Sequence, residues 1–182
     1  MKTLVIAPHP DDELLGCGGT LLRRKSEGVT LGWVIITKIS EDYGWSTENV
    51  RERENEIEQV RKRLGIQPEH LFQLGFATTR LDTFPMEDLI TKVSEVFQSF
   101  QPEEVLVPHQ GDVHSDHRIT FEAVAGLHQV VPLSFRKTRT GLRNSFRNRI
   151  QSRFLPNISS KCFCGHFGLY RTEIGTVAHL WF

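Results

Sequence analysis

Residues 2–13 read Lys2-Thr3-Leu4-Val5-Ile6-Ala7-Pro8-His9-Pro10-Asp11-Asp12-Glu13, and this stretch decides the fold. Leu4 to Ala7 is an unbroken apolar run, the pattern of a strand buried on both faces of a parallel sheet. Pro8 and Pro10 interrupt it. Carboxylates follow where a helix would begin, a position favoured by the helix dipole and by the free N–H groups of the first turn. The helix predicted over about 13–27 closes at Gly28, which can take the left-handed conformation of a C-terminal cap. It places Leu14, Leu21 and Leu22 on one side, with Gly16, Gly18 and Gly19 allowing close backbone approach. A second strand over 30–37 completes a βαβ unit with a right-handed crossover.

Working outward, the polar stretch 39–49 is read as a surface loop at the same sheet edge as His9. The helix at 48–64 carries an apolar stripe of Val50, Ile57, Val60 and Leu64, in which Arg53 occupies the position that completes the period. A strand at about 70–74, a helix at about 86–100, a strand at 104–108 and a helix from about 116 follow. The fold class expected is α/β, a Rossmann-like, mostly parallel sheet with helices on both faces. The 182 residues fit one domain, and 38% hydrophobic with 24% charged residues exclude a disordered or fibrous chain. The first apolar run is too short for a signal-peptide core, and no stretch is long enough to span a bilayer. Three cysteines, Cys17, Cys162 and Cys164, form no even disulfide framework, which points to a reducing, cytoplasmic setting.

Two clusters carry chemistry. His9 and Asp12 are three apart across a turn stiffened by Pro10, so an imidazole and a carboxylate can converge. The plain alternative is that Asp11 or Asp12 only caps the helix. The second cluster, His109-Gln-Gly-Asp112-Val-His114-Ser-Asp116-His117, directly follows the apolar run Val105-Leu106-Val107. Three histidines and two aspartates at the C-terminal end of a predicted parallel strand stand where α/β sheets bind ligands; a merely solvated loop is the competing reading. Imidazole and carboxylate ligands without thiolates suit one zinc ion with an open position for water, a recipe for hydrolysis. The aspartate-rich turns alone would also permit a two-metal phosphoesterase.

The residues His9-Pro-Asp-Asp-Glu13 and His114-Ser-Asp-His117 resemble the two signature motifs of the PIG-L/LmbE-like N-deacetylases. The likeness covers residues 1–126, the Gly16-Cys-Gly-Gly19 turn included. It implies zinc held by His9, Asp12 and His117, with Asp11 activating the water. It implies also that His114 stabilises the oxyanion and protonates the leaving amine, and that Asp116 orients His114. An Arg-x-x-Glu pair that holds the substrate in such enzymes falls on Arg53 and Glu56, although an arginine there can also be a snorkelling surface residue. The function implied is removal of the N-acetyl group from an N-acetylglucosamine-type sugar, a small-molecule partner, with neither nucleic acid nor a membrane span involved.

After residue 126 the likeness ends. Residues 127–182 hold nine Lys/Arg against the single acid Glu173, which leaves 13 basic and 21 acidic residues in 1–126. Relatives continue with segments of the type VKRVLAYE and VDISDYIERK, which are missing here. Codons can be written for Arg136–Asn144 and Gly165–Gly175 that, moved by one nucleotide, read VKRVLAYE and DISDYIERKL; Leu127–Phe135 similarly yields CTKWFRYPS. Residues 127–182 are therefore read as a frameshifted basic tail on an incomplete deacetylase domain. Its charge is then no nucleic-acid footprint, Cys162-Phe-Cys164 is no half of a zinc ribbon, and Phe135, Phe146, Phe154 and Trp181 form no patterned core. A catalytically impaired chain that still binds metal is the alternative function.

Overall fold

The computed structural model describes residues 1–130 and the strands at 168–171 and 177–181, with side chains as far as Leu127. In chain order the elements are β1 (Lys2–Ala7), α1 (Asp12–Ser26), β2 (Thr30–Lys38), α2 (Thr47–Leu64), β3 (Leu71–Ala77), α3 (Met86–Phe100), β4 (Glu104–Pro108), α4 (Ser115–Val130), β5 (Gly168–Arg171) and β6 (Val177–Trp181). The sheet order is β3-β2-β1-β4-β6-β5. β1 pairs in parallel with β2 and with β4, β2 with β3 and β4 with β6; only β5 runs antiparallel, against β6. The α/β class is as the apolar runs imply. β3 runs further than expected, and the loop before α2 contains a short 3-10 turn at Glu41–Tyr43. α2 begins at Thr47, where the Ser46 hydroxyl accepts from the Asn49 N–H at 3.1 Å.

Alternation along β1 divides the core. Leu4 and Ile6 face α3 and α4, packing with Val34, Val93, Phe100, Val105 and Ala123. Val5 and Ala7 face α1 and α2, packing with Cys17, Leu21, Trp33, Ile57 and Leu106. One expectation fails here. In a regular helix Leu14 and Leu21 lie two turns apart on one side. Cys17, however, is non-helical at φ −141°, ψ 19°, and rotates the first turn of α1 against the rest. The buried face becomes Glu13, Cys17, Gly18 and Leu21, while Leu14 and Leu22 stand exposed. Gly18 and Gly19 are not places of close approach, since a Cβ on Gly18 would meet nothing nearer than 3.7 Å and one on Gly19 nothing within 4 Å. That role belongs to Gly32 in β2, where a Cβ would lie 2.8 Å from Phe100 Cζ and 2.9 Å from Leu4 Cδ1.

The β1–β4 seam is tied by a buried charge. Glu104 accepts from Arg24 Nε at 2.7 Å, from Arg24 Nη2 at 2.6 Å and from the Thr3 hydroxyl at 2.6 Å. α4 runs past residue 126 as far as Val130, and β5 and β6 lie within 127–182. Phe135, Phe146, Phe154, Cys162 and Cys164 lie outside the described residues.

Candidate metal centre and active site

β1 and β4 are neighbours in the sheet but distant in sequence, because the connections turn one way from β1 to β2 and β3 and then cross back to β4. Such a reversal leaves a crevice at the C-terminal strand ends. The loop after β1 carries the first motif and the loop after β4 the second. The Pro8 carbonyl accepts from Thr37 N at 3.0 Å and Thr37 Oγ1 at 2.8 Å, clamping the first loop to β2.

The loops meet at one oxygen. Asp12 Oδ2 lies 3.2 Å from His9 Nδ1 and 3.2 Å from His117 Nε2, and accepts from the His9 backbone N–H at 2.9 Å. Each histidine is held at its other nitrogen by a carboxylate, His9 Nε2 by Asp116 at 3.0 Å and His117 Nδ1 by Asp112 at 2.9 Å. That is the arrangement in which outer carboxylates fix the tautomer and orientation of metal-binding imidazoles. The donor set also fits in size. Ligand atoms of a tetrahedral zinc at ~2.1 Å stand about 3.4 Å apart. One nitrogen from each ring and a carboxylate oxygen, all within 4.8 Å of one another, can take up that spacing. A second group, His9, His114 and Asp116, shares His9, and its carboxylate is already engaged by the bonds described next.

Asp116 departs from its expected part. Its buried carboxylate accepts from His9 Nε2, from Thr79 N at 2.8 Å and from Leu81 N at 3.3 Å, so its side chain holds His9 rather than His114. His114 meets Asp116 only through the backbone, its Nδ1 accepting the Asp116 N–H at 3.1 Å. The cause is local: His114 precedes the first residue of α4, and its ring caps the helix as a serine or aspartate would. Asp11 holds the corresponding position at α1 but makes no capping bond, and the residue is exposed. The cap reading thus fails for Asp11.

Electrostatics match a cation site. Burial alone would lower the His9 pKa, but the hydrogen bonds to Asp116 and Asp12 outweigh it and push it up to about 9. His117 is raised too, burial again opposing and Asp12 and Asp112 winning. Asp12 and Asp116 are held below the usual carboxylate range against their burial, the former by His117 and His9, the latter by His9 and the Thr79 and Leu81 amides. Positive charge is favoured where a divalent ion would displace those protons.

Arg53, half-exposed on α2, pairs with Glu56 at 3.3 Å. Glu13 is fully buried, and neither of its oxygens has a hydrogen-bond partner. Burial pushes its pKa up to about 8, nearby Asp11 and Asp12 adding to the rise and Arg53 opposing it. Sequence reading gave Glu13 no role and overlooked Thr79 and Leu81, which act only through backbone N–H groups and so leave no side-chain signal. Thr79 does so at φ 58°, an uncommon conformation for a β-branched residue. No helix among the described residues is long and apolar enough to cross a membrane.

Residues 4–128 match the PIG-L family, described as GlcNAc-PI de-N-acetylase. The chain is 29% identical over 125 residues to the uncharacterized deacetylase YaiS of Escherichia coli (strain K12), covering 66% of this chain and 64% of that protein. It is 29% identical over 143 residues to a probable N-acetyl-alpha-D-glucosaminyl L-malate deacetylase 2 of Bacillus anthracis, covering 74% and 62%. Among solved structures, the conserved protein TT1542 from Thermus thermophilus superimposes with a TM-score of 0.59 at 32% identity, over 70% of this chain and 55% of that one. The chain thus spans a little over three-fifths of the length of these curated relatives.

Proposed function

Because the chain belongs to the PIG-L family of de-N-acetylases, we propose that it carries the centre of a zinc-dependent hydrolase that removes the N-acetyl group from an N-acetylglucosamine-type sugar. The observation that carries this reading is the meeting of two loops about a hundred residues apart, with rings from both on the single Asp12 oxygen. A zinc ion held by His9, Asp12 and His117 would supply Lewis-acid polarisation of the acetamide carbonyl and a more acidic water. The relative described as acting on an N-acetylglucosaminyl malate supports the substrate class.

The chain's own groups divide the remaining work. Asp11, exposed and free of a capping bond, takes the proton of the attacking water. His114 accepts at Nδ1, so its neutral ring carries the proton on Nε2 and donates to the carbonyl oxygen as charge develops. Delivering a proton to the amine from that nitrogen would require a cationic ring, whose Nδ1–H would face the Asp116 N–H. We therefore assign the proton reaching the amine to Asp11, and to His114 the oxyanion alone. Arg53 holds the sugar. The test is acetate release from an N-acetylglucosamine substrate by protein loaded with zinc. One zinc per chain and turnover abolished in Asp11→Ala with zinc retained support the assignment; two ions per chain would favour a phosphoesterase, and zinc lost from Asp11→Ala would make Asp11 a ligand.

The change of character after residue 126 favours a second reading, that of a metal-binding chain with impaired turnover. In it, residues from about 127 onward are a frameshifted tail, which is supported by a family match that stops at residue 128 and by the basic excess beyond it. The nucleotide sequence across codons 120–130, compared with close relatives, decides it: a continuous frame there refutes the shift.

A further inference from the structure

The 3-10 turn at Glu41–Tyr43 and the two residues after it carry a pair of aromatic side chains that packing does not account for. Tyr43 is 41% and Trp45 42% exposed, and neither belongs to the core cluster on either face of the sheet. Nor are they carried on loose chain. The Ser40 carbonyl accepts from Tyr43 N at 3.0 Å and from Trp45 N at 3.3 Å. Gly44, between the two rings, closes the turn in the left-handed conformation at φ 85°, and Ser46 then caps α2. Two large side chains held out on an anchored backbone mark a contact surface.

That surface adjoins the metal site. The turn follows β2, whose Thr37 is bonded to Pro8 in the loop that carries His9. The Arg80 guanidinium lies 5.9 Å from the centre of the Tyr43 ring, and the N–H groups of Thr79 and Leu81, on either side of Arg80, hold the Asp116 carboxylate behind His9. Charge decides what fits there. Glu41 and Asp42 are exposed on the same turn and repel an anion, while a lipid chain would meet these two acids and a guanidinium in place of a continuous apolar groove. A neutral sugar ring suits every group: its C–H faces stack on aromatic rings, and its hydroxyls bond to carboxylates and guanidinium around the rim.

We propose that Tyr43 and Trp45 form a subsite for a second, neutral pyranose ring joined to the N-acetylglucosamine on which the metal centre acts. The subsite rests on the sugar-hydrolase reading above, and the preferred substrate is then a neutral oligosaccharide or glycoside in place of a monosaccharide or a sugar phosphate.

Ligand-observed NMR titration of zinc-loaded protein reads binding whether or not the sugar is hydrolysed. The probes are N-acetylglucosamine, the disaccharide of two such residues, and N-acetylglucosamine phosphate. Expected is a disaccharide bound about tenfold more tightly than the monosaccharide, the gain of one stacked ring. In Trp45→Ala that preference falls to within about twofold, Trp45→Phe keeps most of it, and Tyr43→Ala falls between. Equal affinities in the parent, binding of neither sugar, or a preference that survives Trp45→Ala overturns the subsite. So does a phosphate preferred over the disaccharide whose advantage is lost in Arg80→Ala, since the rim would then be an anion site. A parent that prefers the disaccharide yet releases no acetate from either sugar refutes the deacetylase reading and leaves the subsite standing.

Discussion

Asp116→Asn separates two possible tasks for the buried carboxylate that holds His9. In the parent, Asp116 Oδ2 accepts from Thr79 N and His9 Nε2, and Oδ1 from Leu81 N at the longer distance of 3.3 Å. An asparagine settles with its oxygen toward Thr79 and His9, which sets its NH2 against the Leu81 N–H and leaves that donor unsatisfied. One buried orphan costs about 1–3 kcal/mol of stability. His9 meanwhile loses a charged acceptor for a neutral one, and loss of such a partner behind a metal-binding histidine lowers metal affinity ~10–100-fold. Competition for zinc against a chromogenic chelator measures this directly, and urea unfolding of the chelator-treated protein gives the stability term. Unchanged zinc affinity with depressed turnover would refute the reasoning and return Asp116 to the task of orienting His114.

Arg24→Met strands the buried Glu104 without its bidentate partner and should cost about 3–5 kcal/mol in urea unfolding, part of it recovered by adding Glu104→Gln; a cost below about 1 kcal/mol would show the seam to be well solvated. Gly32→Ala forces a methyl to within 2.9 Å of Phe100 and Leu4 and should cost about 1–3 kcal/mol, relieved by Phe100→Leu. In chelator-treated protein the raised pKa of His9 contributes stability that is fully present below its ordinary value of 6.5 and lost as pH rises through about 9. The urea midpoint should fall across that window and fall less in His9→Gln, whereas identical profiles would mean that His9 keeps its ordinary value.

The sheet and the location of the site were legible because their causes are local. Leu4 to Ala7 and Val105 to Val107 are apolar without alternation, which in a chain of this size means a doubly covered strand, and each runs directly into a loop of histidine and aspartate. The strand pattern placed two loops at one edge, and the choice of His9, Asp12 and His117 among their side chains came from the resemblance to the family's motifs. What escaped is set by tertiary contact. The non-helical Cys17 turned Leu14 outward although the helical period had placed it inward. Asp116 lies one residue from His117 and two from His114, and nothing in that spacing tells that its carboxylate reaches back to His9, 107 residues earlier. Arg53 was marked as an interruption of an apolar stripe, and it stands half-exposed beside Glu56 of the same helix, a degree of exposure that periodicity within one element cannot set.

The adjacency of β1 and β4 has a consequence for how the molecule is made. A growing polypeptide displays His9 and Asp12 long before His117 has been added, and a loop of roughly a hundred residues must close before they meet, among the slower contacts a fold of this size forms. The cluster that could hold an ion and the threading of β4 beside β1 are therefore acquired in one event. Any nick between α2 and α3 would divide the cluster into two fragments, each with one histidine-bearing loop and neither with a place to hold the cation.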